Sequence, residues 1–200
     1  MANISSEVYS PSEDSWLLEK CILREYLVGK KCLDMGTGSG IQGVAMLNSG
    51  ASEVVVADIN PLALRESKKR ISRWIKNNKT RFVGHSKPLA HYKKSNLFSN
   101  IKEKFDFIVF NPPYVLSDEI KWVDLDGGEK GRIVIDNFLP TVKKHLTKKG
   151  VLLLLVSSLN KPTEIKSFLK KQGFVVSVVG RKKLFFEELL VLRVVMDSHK

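Results

Sequence analysis

Leu33-Asp34-Met35 runs without a break into Gly36-Thr37-Gly38-Ser39-Gly40, and a segment with helical spacing (Ile41, Val44, Ala45, Leu47) follows until Gly50 stops it. A short apolar strand that passes into a helix through alternate glycines predicts a turn whose backbone a ligand can approach. Glycine permits positive φ there and adds no side-chain bulk. The alternation then repeats. Residues 54–57 read as a second strand, followed by Asp58-Ile59-Asn60 and a helix with Pro61 in its first turn that reaches about Trp74. Residues 81–83 are predicted as a third strand, 105–110 as a fourth, 151–156 as a fifth, 174–179 as a sixth and 189–195 as the last. Helical spacing recurs at 13–27, at 133–142 with an interruption or kink at Pro140, and at 162–172; residues 84–104 are irregular and could hold a crossover helix and loops. Strands alternating with helices predict an α/β fold, a mainly parallel sheet with helices on both faces.

Two hundred residues suit one domain with a real core and leave little room for a separate recognition domain. One domain over residues 1–200, opened by a helical segment, is therefore expected. No apolar run reaches membrane-spanning length and no basic-then-apolar secretory start is present, so a soluble, cytoplasmic protein is expected. Cys21 and Cys32 form no CxxC pair and have no histidine at ligand spacing. They read as buried thiols, with no metal site. Thirty-three Lys and Arg against twenty-one Asp and Glu give a formal charge of +12. Basic pairs and triplets such as Lys68-Lys69-Arg70 and Arg181-Lys182-Lys183 are spread along the chain without interleaved aromatics. A solvated basic surface and a contact with RNA or a ribonucleoprotein both fit that pattern.

The glycine turn alone is weak evidence, because nicotinamide and flavin sites use related turns. The carboxylates around it narrow the choice. Asp58, twenty-two residues after Gly36 and at the end of the second strand, could accept hydrogen bonds from two ribose hydroxyls. Asp34 precedes the turn, where an acidic side chain tolerates a cationic sulfonium cofactor better than a pyrophosphate. It could bind the methionyl ammonium directly or hold the loop. Asn60 could join the ribose or adenine pocket, or cap the next helix. With Gly36, Gly38 and Gly40, these residues favour methyl transfer over hydride transfer.

Asn111-Pro112-Pro113-Tyr114 follows the fourth strand and is the sharpest signal. The Asn111 side-chain oxygen and the Pro112 carbonyl can both accept hydrogen bonds from one planar NH2 group, while the prolines restrict the backbone that presents them. Tyr114 can pack its ring on a flat amide or nucleobase. Nitrogens of that kind are poor nucleophiles because their lone pairs are delocalised. Two acceptors that favour developing positive charge help the transition state more than a strong base would. Direct methyl transfer with no metal is the chemistry expected, with Asn111, Pro112 and Tyr114 catalytic and all four residues holding the acceptor.

These segments, together with Tyr9-Ser10-Pro11-Ser12-Glu13-Asp14-Ser15 and Gly127-Gly128-Glu129-Lys130-Gly131-Arg132, resemble the HemK/PrmC family of protein glutamine-N5 methyltransferases, and especially its short archaeal and eukaryotic branch. The resemblance implies a class I methyltransferase, Rossmann-like sheet of seven strands with a reversed final strand, and S-adenosyl-L-methionine as cofactor. It implies methylation of the glutamine in the Gly-Gly-Gln motif of a class 1 translation termination factor, with a small zinc-binding activator protein as partner in a heterodimer. It would place Tyr9 and Asp14 near cofactor or substrate, Asp34 and the three glycines around the methionyl part, and Asp58 on the ribose. Asn111 and Pro112 would then hold the acceptor amide. Asn96 stands where relatives have the aspartate that contacts the adenine amine, and it can still accept through its amide oxygen. Adenine-N6 and guanine-N2 methyltransferases also carry motifs of the NPPY kind. N-methylation of an exocyclic base amine in RNA or DNA is therefore the enzymatic alternative, and a nonenzymatic ribonucleoprotein assembly module the other.

Overall fold

The computed structural model describes residues 4–82, 86–115, 127–128 and 131–198. In chain order these residues form α1 (Glu13–Ile22), β1 (Lys31–Met35), α2 (Ile41–Asn48), β2 (Glu53–Asp58), α3 (Pro61–Asn77), a 3-10 turn (Lys79–Phe82) and β3 (Leu89–Lys94). They continue with β4 (Phe105–Phe110), α4 (Ile133–His145), β5 (Leu146–Ser157), a second 3-10 turn (Ser158–Asn160), α5 (Pro162–Lys171), β6 (Phe174–Lys183) and β7 (Glu188–Met196).

Period-two side-chain alternation places one core on each face of the sheet. Ile108, Phe110, Leu152 and Leu154 pack with Ile135, Phe138 and Leu169 of α4 and α5. Their neighbours Phe107, Val109, Leu153 and Leu155 pack with Leu18, Ile22, Met46 and Ile71 of α1, α2 and α3. Strand segments buried on both faces have no polar side, which is why residues 107–110 of β4 and 151–156 of β5 read as unbroken apolar runs.

The seven strands lie in the order β3-β2-β1-β4-β5-β7-β6. β1 pairs in parallel with both β2 and β4, Leu33 lying opposite Val55 on one side and Ile108 on the other. β7 runs antiparallel between β5 and β6, the reversed final strand that was expected. The order reverses between β1 and β4, so the loops leaving these two strands diverge and open a crevice at the carboxyl edge.

Three expectations from the sequence are corrected. The third strand is Leu89–Lys94, and Lys79–Phe82 is a 3-10 turn; Val83 lies outside the described residues. β3 is an edge strand paired only with β2, and its exposed and half-buried residues leave no apolar signature. Among the described residues no helix lies between β3 and β4, where residues 95–104 cross in turns and loop, whereas α3 makes the crossover from β2 to β3. In addition, α4 runs unbroken through Pro140, which sits on its exposed side, where water can satisfy the carbonyl that loses its helical donor.

Candidate active site

A pocket at the carboxyl edge, about 1160 Å³ including its open mouth, lies where the loops after β1, β2 and β4 converge with α1 and the segment before it. Gly36, Gly38 and Gly40 all adopt positive φ (+61°, +49° and +80°), so the turn itself demands them. A Cβ at Gly40 would stand 2.7 Å from the Ser67 backbone of α3, whereas one at Gly38 would meet nothing within 4 Å. Gly40 therefore serves close packing of turn against helix, and Gly38 leaves open the space a ligand needs. Gly36 and Gly38 line the pocket.

Asp58 also lines it. Its Oδ2 accepts from Gly38 N at 3.0 Å and its Oδ1 from Asn60 N at 2.9 Å, tying the exits of β1 and β2 together. A carboxylate oxygen can accept more than one hydrogen bond. Asn60 both caps α3, accepting from Leu62 N at 2.9 Å, and lines the pocket. Its amide donates to Ser5 O at 3.1 Å, which draws the segment before α1 over the site. Asn96 is exposed at the pocket wall beside Leu97, whose φ of +48° is unusual for a branched residue.

Asp34 is not on the wall. It is buried beneath the turn, where its Oδ2 accepts from Thr37 Oγ1 at 2.7 Å and from Gly43 N at 3.0 Å. Of the two roles open to it, the geometry favours holding the loop. Burial pushes its pKa up to about 7.

Asn111, Pro112, Pro113 and Tyr114 form the opposite wall. Asn111 Nδ2 donates to Asp14 Oδ2 at 3.0 Å, while Asn111 Oδ1 is buried with no partner. Asp14, 3% exposed in the first turn of α1, also accepts from Tyr9 OH at 3.2 Å and Tyr114 OH at 3.4 Å, and from Ser15 N at 2.5 Å. Tyr9 and Asp14 thus lie at the site, but the Asp14 carboxylate is engaged in orienting Asn111 and two phenols. Burial first, then the negative charge of Asp14, pushes both phenols up, Tyr9 to about 12 and Tyr114 further. Both stay protonated at neutral pH, so the Tyr114 phenol stands as a hydrogen-bond donor rather than a base.

Sequence reasoning missed two residues. Gln42 lines the pocket from the first turn of α2; its amide donates to Ser15 O at 2.9 Å and its Oε1 is buried without a partner. Asn160, fully buried after β5, donates to Tyr114 O at 2.9 Å and Gly131 O at 3.2 Å. It thereby straps the exit of the NPPY segment to the glycine-bearing turn that precedes α4. Within that turn Gly127 N donates to Val115 O at 3.1 Å, so its described residues are packed against the site rather than free in solvent. Neither residue has a local sequence signal, because both act through contacts made by folding.

Buried acceptors without donors are costly, and Asn111 Oδ1 and Gln42 Oε1 both belong to residues that line this one pocket. The pocket is therefore built for a ligand or ligands that bring N–H groups, such as an ammonium and a primary amide or amine.

A family model described as the methyltransferase small domain matches residues 12–186. A Methanocaldococcus jannaschii protein named "Putative protein N5-glutamine methyltransferase MJ0928" is 38% identical over 93% of this chain and 90% of its own length. The human protein named Methyltransferase HEMK2 is 30% identical over 94% of this chain and 89% of its own. Among solved structures, the E. cuniculi Mtq2-Trm112 complex responsible for methylation of the eRF1 translation termination factor matches with a TM-score of 0.70 and 28% identity, over 94% of this chain and 98% of that one. With its seven-stranded sheet, its glycine turn and its NPPY wall, the chain belongs to the methyltransferase small domain family and is a methyltransferase.

Proposed function

We propose that this chain transfers a methyl group from S-adenosyl-L-methionine to the side-chain nitrogen of glutamine in the Gly-Gly-Gln motif of a class 1 translation termination factor. The observation that carries this reading is the Asn111 side chain, whose NH2 is held by Asp14 so that its oxygen is left as an unpartnered, buried acceptor at the pocket wall. Beside the Pro112 carbonyl, that oxygen suits one N–H of a planar primary amide, with the other N–H on the carbonyl. The name of the Methanocaldococcus jannaschii relative supports glutamine as the residue bearing it, and the Mtq2-Trm112 complex supports a termination factor as the protein.

S-adenosyl-L-methionine, when bound, supplies an electrophilic methyl group on a sulfonium. Gln42 Oε1 and the open space over Gly38 fit its methionyl end, Asp58 its ribose, and Asn60 and Asn96 its adenine side. The acceptor nitrogen would take the methyl carbon as the carbon–sulfur bond breaks and the neutral thioether S-adenosyl-L-homocysteine leaves, and it would lose its proton during or after transfer. Asn111 and Pro112 stabilise the positive charge that develops on that nitrogen, and the rigid prolines hold it in reactive approach. Asp14 keeps the Asn111 amide the right way round.

Residues 1–200 act as one catalytic domain in this reading, in the cytoplasm, and among the described residues no helix is long and apolar enough to cross a membrane. The likeness to the Mtq2-Trm112 complex supports a small partner protein in a heterodimer. We extend the reading to a zinc-binding activator.

Protein purified with that partner and incubated with labelled S-adenosyl-L-methionine is expected to label the termination factor, with mass measurement placing the methyl on the Gly-Gly-Gln glutamine. Asn111→Ala is expected to cut transfer by about 10²-fold or more while cofactor affinity holds. Labelling of RNA or DNA base amines in place of the factor would overturn the acceptor and favour the nucleic-acid alternative. Cofactor binding with no transfer to either would favour an assembly module.

A further inference from the structure

The turn joining β6 to β7 carries two of the most exposed large apolar side chains among the described residues. Phe185 is 91% and Phe186 85% exposed, their rings packed edge to face with centroids 4.6 Å apart. The turn that presents them is closed. β6 and β7 stay paired up to Lys183 and Glu188, Leu184 N donates to Glu187 O at 2.8 Å, and Glu188 N donates to Ser158 Oγ at 3.0 Å. A rigid aromatic pair presented to water gains apolar burial on contact and loses little conformational freedom in doing so.

Its position ties it to the pocket. β6 runs in the same direction as β1 and β4, so it ends at the carboxyl edge, where the pocket opens. Leu184 packs in the same apolar cluster as Tyr114. Lys182 pairs with Glu13, the neighbour of Asp14. The negative charge of Glu187 is among the influences that hold the Tyr114 phenol protonated.

Its cations are mostly paired. Against a formal +12 for the whole, Arg181 is paired with Glu188 at 3.1 Å and Lys182 with Glu13. Polyanions and anionic lipid surfaces are gripped by unpaired cations, and two of the three here are already neutralised.

We infer that this turn is a docking surface for the folded body of the protein substrate, with Phe185 and Phe186 as anchors that enter an apolar recess beside the acceptor loop. The inference rests on the reading of the acceptor as a glutamine on a protein. Two side chains are too small for an interface of their own, but they are of the kind that dominates one, with neighbouring contacts excluding water around them.

The test is steady-state methyl transfer by the complete enzyme with any partner it needs, to the full-length termination factor and to a short peptide spanning only its Gly-Gly-Gln motif. With Phe185→Ser and Phe186→Ser combined, KM for the factor is expected to rise by about thirtyfold while kcat and the KM for the peptide stay within about twofold. Phe185→Leu with Phe186→Leu should recover most of the loss, and an unchanged melting temperature will show that the serine variant is folded. An unchanged KM for the factor, or equal losses on factor and peptide, overturns the docking surface and leaves the acceptor reading intact. Loss of binding to RNA or to anionic phosphatidylserine vesicles, with KM unchanged, overturns it in favour of those ligands. Wild-type enzyme that leaves the factor unlabelled overturns the acceptor reading and the docking surface with it.

Discussion

A primary amide can be set either way round, and Asp14 decides which way Asn111 faces. Because Asp14 Oδ2 accepts from Nδ2, the Asn111 oxygen is the amide atom left without a partner. Sequence alone read Asn111 as an acceptor from its company with Pro112, but the partner that fixes it stands ninety-seven residues earlier. Only the family resemblance brought Asp14 near the site. The two roles open to Asp34 could not be separated in sequence, since burial decides between them. That burial has a consequence in pH. The carboxyl ionises near its ordinary value of 3.8 in the unfolded chain and near 7 in the fold. The stability it contributes is therefore full below the unfolded value and is lost as pH rises through about 7. Asp34→Asn removes the titration and keeps an acceptor for Thr37 and Gly43. The melting temperature of the native protein, relative to the variant, is expected to fall between about pH 4 and pH 8, as read by calorimetry across that range; a constant difference would show that Asp34 does not titrate there.

The turn before α4 shows how an element that does not itself meet the acceptor can position the residues that do. Gly131 has φ +59°, and a Cβ there would stand 2.1 Å from Tyr114 O and 2.5 Å from Asn160 Nδ2. Gly131→Ala must displace the exit of the NPPY segment or the Asn160 strap. It is expected to lower transfer by about 10²-fold, the scale of an ångström-level misplacement, and to lower the melting temperature by several degrees, checked by assay and calorimetry side by side. Elements of this sort divided sharply in legibility. β4 and β5 were readable because burial on both faces leaves apolar runs, and β1 through the glycine turn it enters, whose conformation admits few other residues. β3 was not, since Leu-Ala-His-Tyr-Lys-Lys packs on one neighbour and faces water, while Arg81-Phe82-Val83 carries a strand-like composition that begins in a 3-10 turn. The strap from Asn160 had no local pattern at all.

At the scale of the molecule, the crevice between β1 and β4 links ligand binding to global stability. Occupancy by S-adenosyl-L-methionine at a hundred times its dissociation constant should add about 2.7 kcal/mol. For a chain of this size that corresponds to a rise of about 5–10 °C in melting temperature. Thermal scans with and without cofactor are expected to show it, and Asp58→Ala should remove most of the rise while leaving the unliganded midpoint less affected; an undiminished rise in the variant would take Asp58 out of the cofactor site. The sheet itself is closed in an order that differs from synthesis. β7 enters between β5 and β6, pairing Leu154 with Leu192 on one side and Val178 with Leu192 on the other. Until the ribosome has delivered residues 188–196, both neighbours keep an open, apolar hydrogen-bonding edge. A nascent chain cut short before that point is thus expected to keep an adhesive edge open to other strands.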